Sequence, residues 1–190
     1  KTHYQAMGGT VVFTATIEST TVLSQVLNTS YESGAELVYF PGSTLRANTL
    51  AGQLHQMARS GNLAGLKLLG SDAWHSPALD LSTTEGSTFP VQYTPLNPAP
   101  KTQNWRANYK STFAVEPDSL AALGYDAANV LAQGLQLAPS LNPTDVAASL
   151  EVAEFEGVTG TFQFDVYHNP RKTVIFLQVQ NQTLVPFQNP

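Results

Sequence analysis

The chain has 190 residues, 42 % hydrophobic and only 12 % charged, with 9 basic against 14 acidic residues for a net charge of −5, which fits one domain or two small lobes whose surface relies on Ser, Thr, Asn and Gln. Lys101, Arg106 and Lys110 are scattered and Arg171-Lys172 is only a pair, so nothing basic enough for nucleic acid is present. The absence of cysteine excludes disulfides, thiolate metal sites and cysteine catalysis, and no run approaches the roughly 18 apolar residues of a membrane span.

Residues 1–9 read as the end of a helix stopped by Gly8-Gly9, and Val11, Val12, Phe13 and Ile17 predict a strand over 10–18. A helix follows over 21–33, with Leu23, Val26, Leu27 and Tyr31 on one face and Gly34 as its stop. AELVYF is a short continuous apolar run, the signature of a strand covered on both faces. Pro41-Gly42-Ser43 turns the chain into a helix over 44–60 carrying Leu50, Leu54, Met57 and Ala58, and LKLLG at 66–70 reads as another buried strand. Strand, helix, strand, helix, strand predicts a parallel α/β sheet with right-handed crossovers. After Trp74 the rhythm breaks; residues 75–88 read as irregular, 89–93 as a strand, and TPLNPAPKT, with three prolines, as an extended linker. Helices are expected at 104–113, at 118–137 with Leu120, Leu123, Ala127, Val130 and Leu131 on a core, and at 143–152 capped by Asn142. FEGVTGTFQFD, 155–165, then combines a glycine-punctuated turn with an alternating strand, and a turn at His168-Asn169-Pro170 leads to the apolar run KTVIFLQVQ.

In an open parallel sheet, ligands bind beyond the C-terminal ends of the strands. Two loops lie there. PGSTLRAN carries Gly42 and Ser43 into a helix whose first backbone N–H groups suit a polar or anionic group, although an ordinary N-cap has the same appearance. GSDAW carries Asp72, a carboxylate able to meet an ammonium, beside Trp74, an indole able to cover apolar substance; a turn aspartate is the plainer alternative. His3, His55, His75 and His168 have no metal spacing. Ser71, Asp72, His75 and Ser76 cluster, but no nucleophile elbow activates a serine, so catalysis is not expected. Asn28-Thr-Ser and Asn181-Gln-Thr fit the glycosylation pattern, which arises often by chance.

Together, AELVYFPGSTLRANTLAGQLHQMARSGNLAGLKLLGSDAW, YKSTFAVEPDSLAALGYDAANVLAQGL and FEGVTGTFQFD resemble, in order, the type I periplasmic binding proteins of ABC transporters, branched-chain amino-acid type. The resemblance implies a truncated form of that fold: a three-layer α/β/α second lobe from 1–95 and 163–190, and a remnant of the first lobe from 96–162. It implies a binding protein without catalytic residues, metal or cofactor, in which Asp72 takes the ligand amine and Tyr125 faces the cleft from the first lobe. Ser43 falls where the family often has an aromatic. The implied partners are an amino acid or similar small solute and, for a longer chain, an ABC permease. The implied location is periplasmic or extracellular, with lipoprotein anchoring as one form of that longer chain. A dimer or swapped assembly is expected to cover surface that a whole first lobe would bury. A ligand-sensing domain of the same fold and a small-metabolite hydrolase are the alternative readings.

Overall fold

The computed structural model describes residues 2–18 and 22–187. Two compact units make up the chain, one from residues 1–90 and 176–190, the other from 91–175.

In the first unit, helix α1 (Thr2–Ala6) ends before Gly8, whose φ of +90° belongs to the left-handed region. Residues 10–18 do not form the expected strand. Their main chain meets a side chain instead of a ladder, since the Arg46 guanidinium donates to the carbonyls of Ile17 at 3.3 Å and Glu18 at 2.9 Å. Helix α2 (Leu23–Glu32) buries Leu23 and Leu27 and packs on α3 (Thr44–Arg59), which buries Ala47, Leu50 and Ala51; the expected start of α2 at Thr21 lies outside the described residues.

Strands β1 (Leu37–Phe40) and β2 (Lys67–Gly70) pair in parallel, from Leu37 opposite Lys67 to Phe40 opposite Gly70. Strand β3 (Thr88–Val91) pairs in parallel with β2 at Leu69 and Thr88. The sheet order is β1-β2-β3-β7-β8, where β7 (Ile175–Gln180) and β8 (Thr183–Pro186) form an antiparallel hairpin, so the sheet is mixed. Glu85 fixes that hairpin by accepting from the N–H groups of Asn181 (2.8 Å) and Gln182 (3.0 Å), both at positive φ. The expectation that β1 is covered on both faces is corrected. It is an edge strand, and Leu37 and Tyr39 are 48 % and 60 % exposed. The unit's core is Leu27, Leu50, Leu68, Trp74, Phe89, Leu177 and Val179.

The second unit holds α4 (Pro100–Phe113), α5 (Ser119–Leu137), α6 (Pro143–Val152) and an antiparallel sheet of β4 (Phe155–Gly157), β5 (Gly160–Phe164) and β6 (Pro170–Lys172). Helix α4 starts four residues earlier than its sequence pattern suggests, because Pro100 occupies a first-turn position, where a missing N–H costs nothing. Asp118 and Asn142 cap α5 and α6 by accepting from Ala121 N–H (2.8 Å) and Thr144 N–H (3.1 Å). Strand β6 pairs with β5, so the apolar run after the 168–170 turn divides: its start completes this sheet and β7 belongs to the other.

The 155–165 stretch owes its two inner glycines to different causes. Gly160 has φ +111°, a backbone conformation that L side chains rarely adopt. Gly157 is short of space, because a Cβ there would lie 2.3 Å from Asp126 Oδ2. Asp126, on α5 and 4 % exposed, grips the turn: Oδ1 accepts from Val158 N–H at 2.7 Å, and Oδ2 from Thr159 N–H at 2.9 Å and from the Thr159 hydroxyl at 2.6 Å. Lys172 donates to the same hydroxyl oxygen at 2.6 Å; burial pushes its ammonium pKa down, and the charge of Asp126 opposes that shift. Thr102 Oγ1 donates to Val158 O at 2.8 Å and Lys101 Nζ to Glu156 O, so α4 holds the turn from another side. Phe155, Phe162 and Phe164 pack together behind it, with centroids 5.6–5.9 Å apart.

Helix α5 faces a core with only some of the residues its apolar pattern suggests: Val130 packs on Ala153, Phe155 and Phe162, and Leu123 is half-buried. Ala122, Asp126 and Gly134 are buried, whereas Leu120 and Leu131 are 75 % and 53 % exposed and Ala127 is exposed. Polar Asp126 turns inward because the backbone amides of the 158–159 turn need an acceptor.

Replacing Asp126 with Ala strands two buried backbone N–H groups, each costing about 1–3 kcal/mol. Urea unfolding of Asp126→Ala should show a loss of about 2–5 kcal/mol; an unchanged midpoint and slope would remove the grip from the account.

Candidate ligand site

The level pairing of Phe40 with Gly70 places the loops after β1 and β2 side by side. Thr44 Oγ1 donates to Ala73 O at 2.7 Å and ties the start of α3 to the second loop, while Ser71 Oγ lies 3.4 Å from Pro41 O. The sequence allows Thr44 to cap its own helix, but its hydroxyl is spent on this link. Ser43 is the N-cap residue, exposed, with no side-chain capping bond. Gly42 serves the turn by being small; a Cβ there would lie 2.3 Å from Phe40 Cζ.

Asp72 begins a short 3-10 turn, Asp72–Trp74, and its exposed carboxylate has no side-chain partner among the described residues. Ser43 and Asp72 thus stand on adjacent loops as open polar groups. Trp74 does not join them, which corrects the expectation of an indole beside the carboxylate. Its side chain is 0 % exposed and packs on Phe89, with centroids 6.2 Å apart. It also lies on Gly70, where a Cβ would come within 2.3 Å of Trp74 Cδ2. Burying the indole fills the space beneath β2 that glycine leaves open. His75 follows it, half-buried, with its pKa lowered by burial.

Tyr125 lies in the second unit, 45 % exposed on α5. Its ring is 5.5 Å from Trp105 and borders an open groove of about 670 Å³ between α4 and α5. Trp105, Tyr109 and Phe113 of α4 line the groove at i, i+4, i+8 spacing, with Asn104, Asn108 and Thr112 beside them. That spacing is visible in the sequence, where α4 reads only as aromatic. Below it, Tyr93 meets Trp105 edge-on at 5.5 Å, and burial pushes the Tyr93 phenol up. Glu116 staples the exposed end of α4 by accepting from Arg106 Nε (2.8 Å), Arg106 Nη2 (3.0 Å) and Lys110 Nζ (2.7 Å). Among the described residues no group of His, Asp and Glu could hold a metal ion, and no helix is long and apolar enough to cross a membrane.

A family model described as periplasmic binding protein matches residues 1–183. Among solved structures, the chain is similar to the leucine-binding protein LivK of Thermotoga maritima (23 % identity, TM-score 0.77), covering 98 % of this chain and 53 % of that one. A putative branched-chain amino acid ABC transporter protein of Rhodospirillum rubrum matches at 20 % identity and TM-score 0.82, over 98 % of this chain and 54 % of that one. A solute-binding protein of an R. palustris ABC transporter, in complex with benzoate, matches at 19 % identity and TM-score 0.63, over 97 % and 51 %. The chain spans about half the length of each of these proteins, and at these identities the likeness is one of fold.

The bonds from Arg106 and Lys110 hold the Glu116 carboxyl down at about 2. A depressed carboxylate contributes stability above its unfolded value, near 4.5, and loses that contribution as pH falls through about 2. The contribution is small because the group is exposed. Carboxyl-detected NMR should therefore show Glu116 still ionised at pH 3.5; a midpoint above 4 would mean that the staple does not persist in solution.

Proposed function

The chain belongs to the periplasmic binding protein family, and on that premise we propose that it carries part of the solute-binding surface of an extracytoplasmic receptor that delivers amino acids or related small polar solutes to an ABC permease. The observation that carries the reading is Asp72: an exposed carboxylate without a side-chain partner among the described residues, at the C-terminal end of a parallel strand, next to the open N-cap of α3. A solute ammonium pairs with Asp72, and the Ser43 hydroxyl and the first amides of α3 take polar groups of the same solute. Gly42 lets the loop stay low, and Trp74 supports it from beneath. Tyr125 offers a ring face in its own groove. The reading assigns no bond-making chemistry to any residue.

A single exposed ion pair is worth roughly 0–1 kcal/mol, so this surface alone holds an amino acid no more tightly than a Kd on the order of 1 mM. Calorimetry on the 190-residue chain with leucine, other α-amino acids and benzoate tests the reading. The expected result is weak binding of amine-bearing solutes that falls about 1.5- to fivefold in Asp72→Ala. Equal binding by the variant removes Asp72 from the site. Binding of benzoate alone overturns the amino-acid reading and leaves the solute receptor standing.

A further inference from the structure

The carboxylate that carries the solute reading is not held by bonds of its own. Asp72 has no side-chain partner among the described residues, so its place is set by the main chain on either side of it. On one side lies the end of β2, fixed by the register of Phe40 opposite Gly70. On the other, the Asp72–Trp74 turn closes through Trp74 N–H to Ser71 O and His75 N–H to Asp72 O, both at 3.0 Å. The carbonyl in the middle of that turn, Ala73 O, accepts from Thr44 Oγ1 at 2.7 Å, across 29 residues of sequence.

Thr44 is not alone on α3 in taking hold of this segment. Asn48, one turn on, donates from Nδ2 to Ala78 O at 2.8 Å and accepts at Oδ1 from Asp80 N–H at 2.9 Å. A side-chain amide offers a donor and an acceptor together, so Asn48 pairs with the loop much as a neighbouring main chain would. Gly52, a further turn on, leaves the chain room to pass, since a Cβ there would lie 3.9 Å from Thr83 Cγ2. Positions four apart share one face of a helix, so the segment from Ala73 to Thr83 is laid along α3. The same helix begins beside Ser43, with its first amides open to a solute. One element thus carries polar contacts for the solute at its start and fixes the carboxylate that meets the solute ammonium. We propose that Thr44 is a positioning residue of the solute site: its hydroxyl holds the Asp72 turn at a set place against the start of α3, and Asn48 continues the clamp along the loop. The proposal rests on the reading of Asp72 and Ser43 as solute groups. It puts no solute on Thr44, whose hydroxyl is spent on Ala73 O.

Three variants of the 190-residue chain test it. Thr44→Val keeps the branched shape and removes the donor, and Thr44→Ser keeps the donor. Thr49→Val is the control on the same helix, because the Thr49 hydroxyl bonds within α3, to Leu45 O. Amide hydrogen exchange followed by NMR reads the turn without solute. Trp74 and His75 N–H should exchange about two- to tenfold faster in Thr44→Val, the loss of one net hydrogen bond, and at the parent rate in Thr44→Ser and Thr49→Val. Unchanged rates in Thr44→Val overturn the proposal. An NMR titration with leucine then reads the site through a double-mutant cycle. Thr44→Val should weaken leucine about 1.5- to fivefold, the range spanned by loss of an exposed pair, when Asp72 is present, and not at all in an Asp72→Ala background; Thr44→Ser should restore the parent affinity. Equal losses in both backgrounds overturn the proposal, because Thr44 then acts on something other than Asp72. If Asp72→Ala alone binds leucine as the parent does, the solute reading fails and takes the positioning role with it. That failure is distinguishable from the others, since Trp74 and His75 still respond to Thr44→Val.

Discussion

The second unit depends on one buried carboxylate. Asp126 satisfies two backbone donors and a hydroxyl of the turn that begins at Gly157, and nothing larger than glycine fits beside it. With the turn fixed, β4 and β5 pair from Phe155 opposite Phe162 to Gly157 opposite Gly160, and the three phenylalanines gather on α6. With Val158 O fixed, Thr102 has its acceptor and α4 its place, which sets Trp105 under the groove. The same inward turn of Asp126 leaves the exposed side of α5 without a charged residue. An acidic residue mid-helix, costly when buried unpaired, is thus the reason for the turn's order.

In the first unit the corresponding constraint is parallel register. Pairing Phe40 with Gly70 brings two loops level, and the Thr44 to Ala73 bond locks them together. The surface so formed is polar because its one large aromatic, Trp74, is drawn down onto Gly70 and Phe89. Asp72 remains outside because an exposed turn aspartate has water for a partner and gains nothing from burial.

The alternation of strands and helices from α2 to β2 was legible because each element carries its own period, with stops such as Gly34 between them. Helix α6 was legible from its cap, Asn142, and α5 from its long run of apolar residues. The strand expected at 10–18 was not recoverable from local pattern, since alternating apolar residues state a preference for extended chain but not the presence of a neighbour to pair with. The burial of β1 failed for the same reason: LVYF reads alike on an edge and in the middle of a sheet. The orientation of α5 was read only in part because periodicity ranks leucine inward and aspartate outward, and no local rule reveals that two amides 32 and 33 residues later need an acceptor. At the ligand surface, the positions of Ser43 and Asp72 followed from strand ends, whereas the fate of Trp74 was set by a glycine four residues earlier. That glycine could be read only as a turn signal.

The central claim is that solute is held at the adjacent loops of β1 and β2. A two-dimensional amide NMR titration of the 190-residue chain with leucine addresses it most directly. The account predicts shifts concentrated at residues 42–46 and 71–73, with the Asp72 amide moving in step with the others. Shifts confined to other segments, with both loops unmoved at saturating leucine, would contradict it.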